Sequence, residues 1–258
     1  MKIVVLVKEV PDTYGDRVLG LETGLADRSA SERVIDEIGE RALEVALSYA
    51  DAHAGTEVVV VSMAPEEATA TVRKALAMGA ASALQVVDEV LLGADLGLTA
   101  EVLAAAVSRA GFDLVIAGNQ STDGSGGVIA AMVAELLGVP HATSLSSVEI
   151  GDDAVTGTRA ADGAEVRVSA ALPAVISITE ALPDARFPNF KGIMAAKKKP
   201  FEKVTLADLG VDADPALAPR SIMTAITAKP PRAAGTVIVD EGDAGARLAD
   251  FLVQNRLV

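Results

Sequence analysis

Residues 113–127 read DLVIAGNQSTDGSGG, and residues 128–137 continue as VIAAMVAELL before Gly138. A short apolar run, a polar glycine-rich loop and an apolar helical stretch, in that order, predict a strand–loop–helix unit. The same alternation appears on the N-terminal side. Residues 1–7 are a β-branched run of the kind buried on both faces of a sheet. After a long loop to about residue 31, residues 35–50 have helical spacing, with Ile38, Ala42, Val45, Ala46 and Tyr49 on one face. EVVVVS at 57–62 is a second buried strand. Pro65 opens a helix that Gly79 ends, with Glu66 and Glu67 in its favoured first turn. Residues 83–87 form a third strand and residues 98–110 a helix closed by Gly111. Strands and helices in strict alternation predict an α/β fold with a doubly wound parallel sheet.

Beyond Pro140 the pattern changes. Residues 148–150, 154–159 and 165–171 read as strands of a β-hairpin insertion, with turns at Gly151-Asp152 and Asp162-Gly163. AVISI at 174–178 is again a buried strand, expected to return to the main sheet. From residue 179 prolines punctuate the chain. An α/β domain over 1–211 is therefore expected, followed by an extended C-terminal arm over 212–258. The arm ends in a helix at about 243–256 with Ala246, Ala249, Leu252 and Val253 on one face. An arm tipped by an amphipathic helix suits the embrace of another subunit.

Composition narrows the chemistry. Cysteine is absent, which removes disulfides, thiolate metal sites and cysteine nucleophiles. The two histidines, His53 and His141, fall in no metal-binding pair, so neither a metal site nor a catalytic residue is expected. A net charge of −14 disfavours nucleic-acid phosphate. No apolar stretch approaches the roughly 18 residues of a membrane span, and the N-terminal run is too short for a signal peptide. A cytoplasmic protein without stable membrane association is the expectation.

Two segments point to binding. Gly118-Asn119-Gln120-Ser121-Thr122-Asp123-Gly124-Ser125-Gly126-Gly127 lies at the carboxyl edge of a strand and opens a helix, where open α/β sheets bind ligands. Small residues let backbone N–H groups approach a phosphate. Asp123 is the exception, expected to cap the helix or accept from a ribose hydroxyl. The lysine of a P-loop is missing, and no glycine cluster follows the first strand. The second segment is RFPNFKGIMAAKKK at 186–199, within a partner-recognition loop at 184–199. Phe190, Ile193 and Met194 offer apolar anchors. Arg186, Lys197, Lys198 and Lys199 offer charge to steer an acidic partner.

With IVVLVKEVPDT at the N-terminus, IDEIGERALEVA at 35–46, VRKALAMGA at 72–80, the 113–127 segment, and FKGIMAAKKK at 190–199 followed by DLGV at 208–211, the chain resembles the β subunits of electron transfer flavoproteins over nearly its full length. The resemblance implies an adenine nucleotide alpha hydrolase-like fold and a heterodimer with an α subunit. It implies FAD shared with that subunit and mostly held by it, and AMP held by this chain. Electrons would come from acyl-CoA and other flavin dehydrogenases, as in fatty acid β-oxidation. They would pass towards quinone through the electron transfer flavoprotein–quinone oxidoreductase. The chain itself would be an electron carrier rather than an enzyme, since flavin holds the redox chemistry. Carried over by position, the nucleotide site comprises Leu6, Val7, Asp36 to Gly39, Met63 and the 118–127 loop. Asp36 stands where many members have Asn, Glu37 where Pro is common, and the loop is shorter than in some. Phe190 occupies the position of the hydrophobic residue that enters the dehydrogenase.

Two other readings compete. In bifurcating relatives a second FAD fills the AMP site. A stress or signalling domain of similar architecture would bind ATP as a homodimer, but such domains lack the arm and the Phe190–lysine segment.

Overall fold

The computed structural model describes every residue except 16, 215–220, 222 and 233, so part of the expected arm lies outside the described residues. Lys2–Leu6 (β1) pairs in parallel with Glu57–Met63 on one side and Leu114–Gly118 on the other. Between β1 and the next strand of this sheet, Glu9–Pro11 (β2) and Arg33–Ile35 (β3) form a small antiparallel ribbon. Glu57–Met63 is therefore β4, followed by Ser82–Val86 (β5), and Leu114–Gly118 is β6. His141–Leu145 (β7), Ala174–Ile178 (β11) and Phe201–Val204 (β12) complete a seven-stranded sheet, ordered β12-β5-β4-β1-β6-β11-β7 and parallel throughout. The doubly wound sheet is as expected, with an added strand at each edge. Neither edge strand carries an apolar run: β7 is HATSL and β12 is FEKV.

Side chains alternate between the faces of the sheet, as strand geometry requires. Ile3, Val5 and Val7 enter one core with Leu43, Leu47 and Leu76. Val4 and Leu6 enter the other with Leu103, Val107 and Val133. Glu37–Ala52 (α1) and Thr69–Met78 (α2) therefore cover one face, while Leu96–Ala110 (α3) and Ile129–Leu137 (α4) cover the other. A fully buried Leu such as Leu43 contributes roughly 1.5–3 kcal/mol. On α1 the buried stripe is Gly39, Ala42, Leu43, Ala46 and Leu47. Ile38, Val45 and Tyr49 are only partly buried, so the expected face is rotated, and the larger leucines set its centre.

Ser147–Ile150 (β8), Ala154–Ala161 (β9) and Ala164–Ala171 (β10) form the separate antiparallel sheet expected of the insertion. Phe190–Ala196 (α5) and Leu206–Leu209 (α6) are short helices in a region that periodicity left irregular. The described chain divides into two compact units, Met1–Thr224 and Ala225–Val258. The second contains Ala244–Gln254 (α7), of which no residue is buried; Leu248, Phe251 and Val253 are exposed apolar side chains. Among the described residues no helix is long and apolar enough to cross a membrane.

Candidate functional site

The chain leaves β1 for β4 and β5 on one side of the sheet, then crosses to β6 on the other. The carboxyl ends of β1 and β6 thus diverge, and a doubly wound sheet opens its ligand crevice at such a point. Leu6 and Val7 end β1 there, and Gly118 ends β6. The start of α1 also reaches this edge, because Gly118 leaves room for it. A Cβ at 118 would lie 2.5 Å from Ile38 Cγ2. The fold therefore gathers Leu6, Val7, the 36–39 turn and the 118–127 loop. Met63 ends β4, the strand beside β1.

Inside the loop, the Asn119 N–H donates to the Ile178 carbonyl at 2.8 Å and the Ser125 N–H to the Ser121 carbonyl at 3.0 Å. Ser125 has a left-handed backbone, φ 51°. Beyond it the N–H groups of Gly126, Gly127 and Val128 have no partner among the described residues. All three residues are exposed, and Val128 precedes α4 without a side-chain cap. Unbonded N–H groups at a helix start suit a phosphate.

Asp123 does not cap α4, which corrects that part of the expectation. One carboxylate oxygen accepts from Lys8 Nζ at 2.7 Å and the other from Arg28 Nη2 at 2.8 Å. Burial opposes its ionisation, but hydrogen bonding and charge from Lys8, with help from Ser121 and Arg28, hold its carboxyl well below the usual range. Arg28 also donates to the Glu9 carbonyl at 2.9 Å, and Arg17 donates to the Thr122 carbonyl. Lys8, Arg17 and Arg28 were not foreseen. The latter two are scattered cations of a polar loop, and only the fold brings them to Asp123 and Thr122.

Asp36 is in the opposite state. It is 2 % exposed. One carboxylate oxygen accepts the Thr122 N–H at 2.8 Å, and the other has no hydrogen-bond partner among the described residues. Burial raises its pKa, the Thr122 N–H lowers it and nearby Asp123 raises it again, with lesser lowering from the Ile38 N–H and the Thr122 hydroxyl; the net shift is upward. The folded state therefore holds this proton more tightly than the unfolded chain. Asp36 contributes a destabilisation that is absent below the unfolded pKa and sets in as pH rises, becoming complete above the folded pKa. Asp36→Asn retains an oxygen for Thr122 and removes the charge. It is expected to stabilise the isolated chain by about 1 kcal/mol at neutral pH. Its melting temperature should also lack the part of the decline with rising pH that Asp36 causes, which thermal unfolding from pH 4 to 8 measures.

The 184–199 segment is clamped to the α1–α2 face. Arg186 grips Glu44 at 2.8 and 2.9 Å and Asp51 at 2.9 Å. Burial disfavours the Glu44 carboxylate, yet Arg186 lowers its pKa overall. Arg41 binds the Leu182 carbonyl and Asp184. Lys199 Nζ donates to the Leu76, Gly79 and Ala80 carbonyls at 2.9, 3.2 and 2.6 Å, closing the C-terminus of α2 where cations are favoured. Arg186 and Lys199 thus anchor the segment within the chain, an engagement the sequence reading did not include. Outward from these clamps, Phe187 and Phe190 are 93 % and 79 % exposed, and Ile193 and Met194 about half exposed. Lys191, Lys197 and Lys198, within α5 and just after it, are exposed and form no ion pair among the described residues.

Of two hollows, one of about 150 Å³ abuts the loop and is lined by Tyr14, Glu37, Glu40, Lys74 and Thr122. The larger, about 510 Å³, opens at the amino edge beside Met1, His53, Asp113 and Pro173, the wrong edge for a ligand of a doubly wound sheet. His53 stacks on Tyr49 with ring centroids 3.9 Å apart, and His141 begins an edge strand.

Residues 23–209 match the family described as Electron transfer flavoprotein domain. The chain is 44 % identical over 263 residues to the electron transfer flavoprotein subunit beta of Mycobacterium tuberculosis, covering 99 % of each chain. It is 33 % identical to the subunit of the same description from Bacillus subtilis, covering 84 % of this chain and 83 % of that one. It is also 33 % identical to the caffeyl-CoA reductase-Etf complex subunit CarD of Acetobacterium woodii, covering 82 % and 80 %.

Proposed function

This chain belongs to the family of electron transfer flavoprotein β subunits, and on that premise we propose that it pairs with an α subunit, holds AMP and docks flavin dehydrogenases from the cytoplasm. The observation that carries the nucleotide reading is the crevice at the β1–β6 divergence. There the unbonded N–H groups of Gly126, Gly127 and Val128 suit one phosphate group, with Lys8 close by. Leu6, Val7 and Met63 would form the apolar bed, and the 36–39 turn one wall. Asp36 is too buried to meet a phosphate. FAD, held mostly by the α subunit, supplies the redox chemistry when bound. This chain's part is to orient the partner and present the docking tip. The exposed apolar residues of α7 and the arm over 212–258 would clasp the α subunit. Electrons would arrive from acyl-CoA and related dehydrogenases; a relative named for a caffeyl-CoA reductase complex also works beside an enzyme of CoA thioesters. They would leave through the electron transfer flavoprotein–quinone oxidoreductase.

Co-expression with the α subunit, denaturation of the purified complex and chromatography of the released nucleotides test this. One FAD and one AMP per heterodimer are expected. Two FAD would place flavin in the crevice and indicate the bifurcating form. A folded complex that releases FAD alone would overturn the nucleotide reading. A discrete homodimer of this chain that binds ATP would favour a signalling domain instead.

A further inference from the structure

Asp36 stands at the N-cap of α1, where an Asp ordinarily accepts an N–H from the first turn of its own helix. Here no cap hydrogen bond forms, and the Ile38 N–H of the first turn acts on the Asp36 carboxylate only as a lesser influence than the Thr122 N–H. Its carboxylate reaches across 86 residues of sequence to the Thr122 N–H at 2.8 Å. It does so without a cationic partner, because Lys8 and Arg28 are engaged by Asp123. A nearly wholly buried carboxylate with one oxygen unbonded is a costly arrangement, and such arrangements concentrate at functional sites.

We propose that Asp36 is a positioning residue. It forgoes capping α1 to hold the Thr122 N–H, and so fixes the 118–127 loop in the form that leaves the Gly126, Gly127 and Val128 N–H groups unbonded. It acts on the phosphate end of the nucleotide through the Thr122 N–H and the loop. This rests on the crevice being a nucleotide site, as proposed above. A second tie holds the same loop from the other side, through Asp123 to Lys8 at the end of β1. Arg28 also binds Asp123, and Arg17 donates to the Thr122 carbonyl. Losing the Asp36 bond therefore leaves the loop attached but frees the 121–122 peptide plane to rotate.

Two substitutions in the heterodimer separate this from a merely structural role. Asp36→Ser supplies a good cap for α1 but is too short to reach Thr122. Asp36→Asn keeps an oxygen at the Thr122 N–H. Amide hydrogen exchange over residues 118–128 and AMP titration of the nucleotide-stripped complex are the readouts. Asp36→Ser is expected to melt no lower than wild type, to lose exchange protection at Thr122 and to bind AMP about tenfold more weakly, the value of one hydrogen bond. Asp36→Asn is expected to restore protection and bring AMP affinity to within about threefold of wild type. Unchanged protection and affinity in Asp36→Ser would overturn the proposal. So would an Asp36→Asn variant as weak as Asp36→Ser, since the charge itself would then matter. If wild type binds no AMP, the nucleotide reading fails, while the exchange comparison still decides whether Asp36 holds the loop.

Discussion

Phe190→Ala in the heterodimer is expected to slow reduction by a flavin dehydrogenase at least thirtyfold, with the fold and bound flavin unchanged. Phe190 is the first residue of α5 and is 79 % exposed. Asn189 caps α5 by accepting the Gly192 N–H at 2.8 Å, which fixes the backbone from which the ring projects. An aromatic anchor is the usual form of an interface hot spot, and removing one costs about 2 kcal/mol or more, roughly thirtyfold. Stopped-flow reduction by an acyl-CoA dehydrogenase measures it. Phe187→Ala is the comparison: Phe187 precedes the capped helix and should matter less. The exposed Lys191, Lys197 and Lys198 add a salt signature. The association rate of wild type should fall as ionic strength rises, and Phe190→Ala should preserve that dependence, because the ring contributes no charge. An unchanged rate in Phe190→Ala would remove the residue from docking, whereas an unfolded variant would make it a core residue.

Gly192→Ala should be more damaging to the chain itself. A Cβ at position 192 would stand 2.3 Å from the Ala77 carbonyl oxygen of α2. The obstacle is backbone near the end of a helix, so no rotamer change relieves it. Helix propensity would favour Ala by roughly 1 kcal/mol, but overpacking of this kind costs about 3 kcal/mol and prevails. Lifting α5 from α2 would also strain the Lys199 bonds to Leu76, Gly79 and Ala80 and the Arg73 bond to the Ala196 carbonyl. The expected result is a fall in melting temperature of several degrees, together with a loss of dehydrogenase docking as large as that of Phe190→Ala. A variant that melts like wild type would show that α5 is not held against α2 as described.

These two substitutions probe a division of labour within one segment. Arg186, Gly192 and Lys199 bind it to the α1–α2 face, while Phe190, Ile193 and Met194 are left outside. A rigid base lowers the ordering cost at docking, which is how pre-organisation improves affinity. The RFPNFKGIMAAKKK stretch already shows the apolar residues and the basic run. It does not show which cations are free, because that depends on what each meets across the fold. Arg186 finds Glu44, 142 residues earlier in the chain, and Lys199 finds the end of α2, 119 to 123 residues earlier.

The sequence by itself determined the parallel sheet, its doubly wound order and the glycine loop at the edge of β6. Runs such as IVVLV and EVVVVS record burial on both faces residue by residue, and glycines record turns locally. It missed β7 and β12, since an edge strand exposed on one side has no need of an apolar run. Only the tertiary structure decided that Asp123 is paired with Lys8 and Arg28 while Asp36, nearby, is buried without a cation. The two carboxylates look alike in sequence and are shifted in opposite directions. Their states depend on desolvation and on partners 86 to 115 residues away, and periodic patterns carry no information about separations of that length.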